Sequence, residues 1–507
     1  MAELLDEHQS AAIRIDPAFT VGSLHRRLFG SFVEHLGRCV YTGIYEPGHA
    51  TADEHGFRTD VAELITELGP TIIRYPGGNF VSGYDWRDGI GPVGERPTRR
   101  DFAWNAVETN EVGTDEFLQW CERLRLEPML AVNLGTAGVR EAMELLQYVN
   151  AGSGTTISDE RGRNGHPEPY GVRFWCLGNE MDGPWQLGFK TPAEYGRLAA
   201  ETGRAMTMLD PSLQLIACGS SNRGMPTFGS WEREVLDRCF DQVELISAHA
   251  YYEPIDDDHQ SFLASAEDMD RFISSVVATA DHVAATHKSD KRIMISFDEW
   301  NVWFAQRFAG RDEERVKAAR DLVEDSYDVQ DAVVVGSLLI ELLRHTDRVA
   351  VACLAQLVNV IAPIMTRPDG AAWRQTIFHP FALTARHAKP MVLEVAARGP
   401  MINTDRYGRV GQLHSVASFD EQTGELVIFA VNRSRTDPLQ LIIDATGFGP
   451  ELSIIEHLVI ADDDPYAHNT ESEPDRVTPV DGEARIENGR VTAVLPPISW
   501  HCLRLAP

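Results

Sequence analysis

Two glutamates, Glu180 and Glu299, each close a run of core-type residues, an arrangement suited to cleaving a glycosidic bond. Glu180 ends Gly171-Val-Arg-Phe-Trp-Cys-Leu-Gly-Asn-Glu180, and Glu299 ends Arg292-Ile-Met-Ile-Ser-Phe-Asp-Glu299. In that chemistry one carboxylic acid protonates the leaving oxygen while the other acts at the anomeric carbon. The pair stands about 5–5.5 Å apart in retaining enzymes and about 6.5–9.5 Å apart in inverting ones. A lone glutamate at a strand end is more often an ion-pairing or capping group. Two of them, preceded by Asn179 and Asp298, favour chemistry over packing.

The elements that must carry this pair follow a strand–helix rhythm. Buried-type strands are expected at 29–34, 71–75, 128–133, 172–177, 213–218, 243–248, 292–297 and 349–355. Helical spacing of apolar residues lies between them, at 60–68, 114–126, 139–149, 192–208, 231–240, 266–286 and 330–345. Eight such strands predict a (β/α)8 barrel; a doubly wound sheet is the rival, but no G-x-G-x-x-G turn follows the first strand. After about residue 388 short β-branched segments separated by turn residues predict an all-β sandwich. A strand at 11–16, stopped by Pro17, is expected to cross over and complete it. The expected division is 1–22, 23–388 and 389–507.

In a barrel the loops after the strands build the active face. Most of the predicted strands hand a hydrogen-bonding residue to that end: Glu34 and His35, Arg74 with Asn79, Asn133, Asn179 with Glu180, His249 with Tyr251, Asp298 with Glu299, Gln356 with Asn359. The bland readings are a core histidine for His249, a structural ion pair for Arg74 and plain core for Trp104 and Trp303. Aromatic faces also serve as platforms for sugar C–H surfaces. The run Asp256-Asp257-Asp258-His259 resembles a metal site, but consecutive residues diverge and a solvated loop is expected. No metal and no cofactor is called for.

The motifs resemble glycoside hydrolase family 51, chiefly α-L-arabinofuranosidases. The resemblance rests on Gly30-Ser-Phe-Val-Glu34-His-Leu-Gly37, Arg74-Tyr-Pro-Gly-Gly-Asn79-Phe80 and Trp175-Cys-Leu-Gly-Asn179-Glu180-Met-Asp-Gly-Pro-Trp185. It continues through His249-Ala-Tyr251-Tyr252, Asp298-Glu299-Trp-Asn-Val-Trp303 and Ala355-Gln356-Leu-Val-Asn-Val-Ile-Ala-Pro363, in order across the predicted barrel. It implies a retaining, exo-acting arabinofuranosidase with Glu180 as acid/base and Glu299 as nucleophile. It further implies that Glu34, Asn79, Asn179, Tyr251 and Gln356 bind the sugar, that Trp104 and Trp303 wall the pocket, and that Arg74 and His249 orient the carboxylates. Terminal arabinofuranosyl units of arabinan or arabinoxylan oligosaccharides are the implied substrate, and a homo-oligomer, favoured as a hexamer, the implied assembly. A β-glucanase or β-xylosidase on the same barrel is the alternative. Relatives often carry His where this chain has Phe189, which bears on the leaving-group side.

Bulk properties agree with a soluble enzyme. The 507-residue chain has 46 Lys and Arg against 76 Asp and Glu, a formal charge of −30, which repels phosphate backbones and argues against nucleic acid as a partner. No apolar run is long enough to span a membrane. The first residues lack a secretory h-region, and the seven cysteines are scattered without C-x-x-C spacing; a reducing, cytoplasmic setting is expected.

Overall fold

The computed structural model describes residues 9–308, 316–449 and 451–507. Eight parallel strands close into a barrel: Gly30–Phe32, Ile72–Tyr75, Glu127–Ala131, Phe174–Leu177, Gln214–Ala217, Leu245–Tyr252, Met294–Val302 and Val349–Leu354. Most strand positions are buried, as they must be when one face fills the lumen and the other meets helices. The helix Thr59–Leu68 shows the pattern of the outer ring. It buries Val61, Leu64, Ile65 and Leu68 at helical spacing and stops at Gly69, whose φ of 78° suits a left-handed cap.

The C-terminal region is one ten-stranded sheet wrapped around its own core. Its order is Val480–Asp481, Ser453–Ile460, Ser499–Ala506, Glu425–Asn432, Leu413–Asp420, Met391–Arg398, Gln9–Ser23, Leu439–Asp444, Arg490–Leu495 and Ala484–Glu487. Alternation divides the strand Glu425–Asn432 between two cores. Leu426, Ile428 and Ala430 face the sheet's own interior, while Val427, Phe429 and Val431 join Trp500 in the barrel core. The helix Val329–Arg344 packs against that face and is buried on all sides through Leu343. At Gly336 a Cβ would overlap the Trp500 indole, so glycine lets helix and sheet approach closely.

Three expectations need correction. The N-terminal strand does not stop at Pro17 but runs Gln9–Ser23. Pro17 falls in a break of register between Ile15 and Thr20, where its missing N–H costs no ladder bond. The sixth and seventh barrel strands run on to Tyr252 and Val302, so His249, Tyr251, Asp298 and Glu299 lie on strands and not in the loops beyond them. Helices Thr156–Arg163 and Phe378–His387 and the strand Met391–Arg398 had no clear sequence signal.

Candidate active site

The seventh strand carries a bulge that decides the chemistry of the site. Ser296 pairs with Ser247 but Glu299 pairs with His249, so one extra residue is accommodated between them. A regular strand would send Asp298 and Glu299 to opposite faces; the bulge turns both acids into the lumen. On the neighbouring sixth strand, alternation points His249 and Tyr251 the same way. The second strand contributes Arg74, and the turn after the fourth contributes Asn179 and Glu180. Glu180 sits at φ 43°, just after Gly178 at φ 93°, a tight turn that aims its side chain back over the barrel.

These groups form one hydrogen-bonded network. Arg74 donates from Nη1 to Glu299 Oε1 at 2.7 Å and from Nη2 to Asn179 Oδ1 at 2.6 Å. The Tyr251 hydroxyl donates to Glu299 Oε2 at 2.8 Å. His249 bridges two acids, with Nδ1 2.9 Å from Glu180 Oε1 and Nε2 2.9 Å from Asp298 Oδ1. Trp185 Nε1 donates to Glu180 Oε2 at 2.7 Å, and Asn179 Nδ2 reaches Asn79 Oδ1 at 3.3 Å. Carboxylate oxygens of Glu180 and Glu299 lie within 4.8 Å of each other and of a His249 nitrogen.

A third carboxyl stands beside the pair. Glu34 accepts from Phe80 N at 3.0 Å, Trp104 Nε1 at 2.9 Å and Gln356 Nε2 at 2.9 Å. Gly77 must be glycine here, because its φ is 151° and a Cβ would come within 2.5 Å of Glu34 Cγ. Trp303 packs edge-on against Tyr251, with ring centroids 5.2 Å apart. The enclosing cavity has a volume of about 1090 Å³.

Burial and neighbours set the charges. Burial raises Glu34 to about 8, with help from the charge of Glu299. Glu180 is raised by burial and by the negative charge of Glu299, against the opposing bond from His249. Burial would lower His249, but the charge of Glu299 and the bonds to Asp298 and Glu180 override it and lift it to about 10. For Asp298 burial is likewise overridden, mainly by Arg74 and then by His249, and its carboxyl is held below the usual range. A protonated His249 donates from both ring nitrogens and keeps no lone pair.

The comparisons with known proteins agree on one family. The model for the alpha-L-arabinofuranosidase 1 domain matches residues 64–271, and that for the alpha-L-arabinofuranosidase C-terminal domain matches 298–499. An intracellular exo-alpha-(1->5)-L-arabinofuranosidase of Streptomyces lividans is 55% identical over 98% of this chain and 76% of its own length. One of the same description from Halalkalibacterium halodurans is 48% identical over 98% and 99%. The chain belongs to the family 51 alpha-L-arabinofuranosidases. The solved structure of a family 51 alpha-L-arabinofuranosidase from Bifidobacterium longum, 46% identical, superposes with a TM-score of 0.94 over 98% of this chain and 99% of that one.

In this family 51 chain the structure gathers every expected site residue around one cavity. Glu34, Asn79, Trp104, Glu180, Tyr251, Glu299, Trp303 and Gln356 line it, and Arg74, Asn179 and His249 lie just behind. Other polar strand ends serve the fold. Asn133 Oδ1 accepts from Gly135 N and Thr136 N, and Asn359 ties Arg38 to Thr366. Asp258 caps the short helix His259–Phe262 by accepting from Ser261 N. Phe189 is 55% exposed in the loop after Glu180 and does not line the cavity. The sequence reading gave no role to Asp298 or Trp185. The signal for Asp298 was a charge inside a run of core residues; for Trp185 it was only proximity in sequence.

Proposed function

We propose that this enzyme is an exo-acting, retaining α-L-arabinofuranosidase releasing terminal arabinofuranosyl units from short oligosaccharides, with Glu180 as acid/base and Glu299 as nucleophile. The observation that carries the reading is the approach of one oxygen of each carboxylate to within 4.8 Å of the other, which fits the closer spacing of retaining enzymes better than the wider spacing of inverting ones. Glu299, bonded by Arg74 and Tyr251, attacks the anomeric carbon as Glu180 protonates the departing oxygen. Glycosylation removes the charge on Glu299, and with it one cause of the raised Glu180 pKa. Glu180 then takes a proton from the water that hydrolyses the intermediate. Glu34, Asn79, Asn179, Tyr251 and Gln356 hold the ring hydroxyls, and Trp104 and Trp303 flank it.

The names of the relatives support the substrate class and, through the word intracellular, a cytoplasmic setting. No helix among the described residues is long and apolar enough to cross a membrane. A hexamer and a division of the chain at about residues 23 and 389 complete the proposal, the former resting on family membership. Turnover of 4-nitrophenyl α-L-arabinofuranoside should exceed that of the β-xyloside and β-glucoside by orders of magnitude, with the α-anomer as first product by NMR. An inverted first product would falsify the mechanism; preference for a β-glycoside would replace the substrate.

A further inference from the structure

The cavity is larger than one sugar needs. Its volume of about 1090 Å³ exceeds the roughly 300–1,000 Å³ usual for a small-molecule site. Beyond Glu180 and Trp185 the wall continues over Arg223, Phe228, Tyr252, Asp268 and Tyr407. Arg223 and Phe228 come from the segment after the fifth barrel strand, and Asp268 from the start of the helix Ala266–Thr286. Tyr407 lies at the tip of the hairpin formed by Met401–Thr404 and Gly408–Gly411. Arg223 forms an ion pair with Asp268. Tyr407 is braced by the Arg271 guanidinium, 5.8 Å from its ring centre, and Phe228 packs edge-on against Phe272.

Tyr252 makes this arm more than a surplus of space. Strand alternation sends Tyr251 into the lumen and turns Tyr252 away from it, towards the arm. Tyr252 is only 6% exposed, and its buried hydroxyl has no hydrogen-bond partner among the described residues. A buried donor left unpaired weakens a fold. The charged and titratable groups that act on it are Asp268, Tyr407, Arg223 and Glu341, and three of these line the same arm.

We propose that this arm binds the distal sugar of the leaving group, beyond the residue joined to the scissile oxygen. The inference rests on the arabinofuranosidase reading. A sugar hydroxyl pairs with the Tyr252 hydroxyl, and the Arg223–Asp268 pair offers donors and acceptors to neighbouring hydroxyls. Phe228 and Tyr407 present apolar faces to ring C–H groups. The arm thus selects for chain length on the leaving side, and hairpin 401–411 brings the C-terminal region into substrate choice.

The test is kcat and KM on 4-nitrophenyl α-L-arabinofuranoside and on linear α-(1→5)-arabino-oligosaccharides of two, three and four residues. For the wild type, kcat/KM should rise about ten-fold from two residues to three. Tyr252→Phe and Tyr407→Ala should each cut that step to about three-fold or less, through KM. Unliganded Tyr252→Phe should melt at or above the wild-type temperature, because it deletes an unpaired buried group. A flat wild-type series alongside brisk aryl turnover overturns the inference alone. So does a step unchanged in both variants, or a Tyr252→Phe protein that melts lower while keeping the step. No turnover of any arabinofuranoside overturns the underlying reading and takes the inference with it.

Discussion

Asp298→Asn removes a charge, but almost no volume, from the centre of the site. Asp298 is wholly buried, accepts from His249 Nε2 at 2.9 Å and Ser296 Oγ at 3.2 Å, and lies 3.8 Å from Arg74 Nε. Arg74 and His249 face Asp298 and Glu299 across the site, so Asp298 is one of the acids that offset the two bases. The variant leaves one buried positive charge uncompensated, and the least costly relief is loss of the His249 proton, which Asp298 helps to hold. A neutral imidazole has one N–H and faces an uncharged amide at 298, so the charge-assisted bond between His249 and Asp298 is lost even where the Glu180 acid donates to the other ring nitrogen. Losing a hydrogen bond to a charged group costs about 1.5–3 kcal/mol, equivalent to a fall in kcat of roughly 10- to 150-fold. KM should hardly move, because Asp298 does not line the cavity. The assay is kcat and KM on the aryl arabinofuranoside across pH, with an NMR titration of the His249 ring. A kcat within about three-fold of wild type, with His249 still titrating near 10, would refute the charge balance.

The two carboxylates should separate by leaving group. Glu299→Ala should lose nearly all turnover on every substrate, whereas Glu180→Ala should retain far more on a dinitrophenyl glycoside, which needs little protonation; equal losses on that substrate would undo the assignment. Gly336→Val should drive its side chain into Trp500 and cost about 1–3 kcal/mol in urea unfolding, with kcat intact; unchanged stability would contradict the packing. From about pH 6.5 upward the His249 contribution to stability should decline. His249 goes from about 6.5 unfolded to about 10 folded, so its contribution is complete below the lower value and lost through the higher one. Glu34, raised to about 8, adds a penalty in the same direction above its ordinary range. Melting curves of wild type and His249→Asn should diverge most at low pH; parallel curves would show that His249 carries no such linkage.

The barrel was legible because parallel strands buried on both faces leave long apolar runs, and the helices between them keep a 3.6-residue period. The polar residues at the strand ends stood out against that background. Composition does not encode the bulge. Asp298 and Glu299 read as one end of a strand, and only the slipped pairing against His249 shows that both enter the lumen. The arm holding Tyr252 was illegible for a related reason: residues at 223, 252, 268 and 407 meet through tertiary packing and share no local pattern. Pro17 misled the reading, because a proline in a strand signals a stop unless the partner strand slips opposite it.

The strand Gln9–Ser23 has a consequence for how the molecule is made. It lies between Met391–Arg398 and Leu439–Asp444, pairing antiparallel with one and parallel with the other. During synthesis it emerges before the barrel yet cannot be paired until these two segments have followed. Its alternating apolar face, Ala11, Ile13 and Ile15, must wait unpartnered through the translation of the entire barrel, at the roughly 5–20 residues per second of protein synthesis. This part of the C-terminal sheet is therefore completed only when a strand made before the barrel meets two made after it. That pairing spans a long sequence separation, which makes it slow and leaves it open to capture by the same strand of a neighbouring copy.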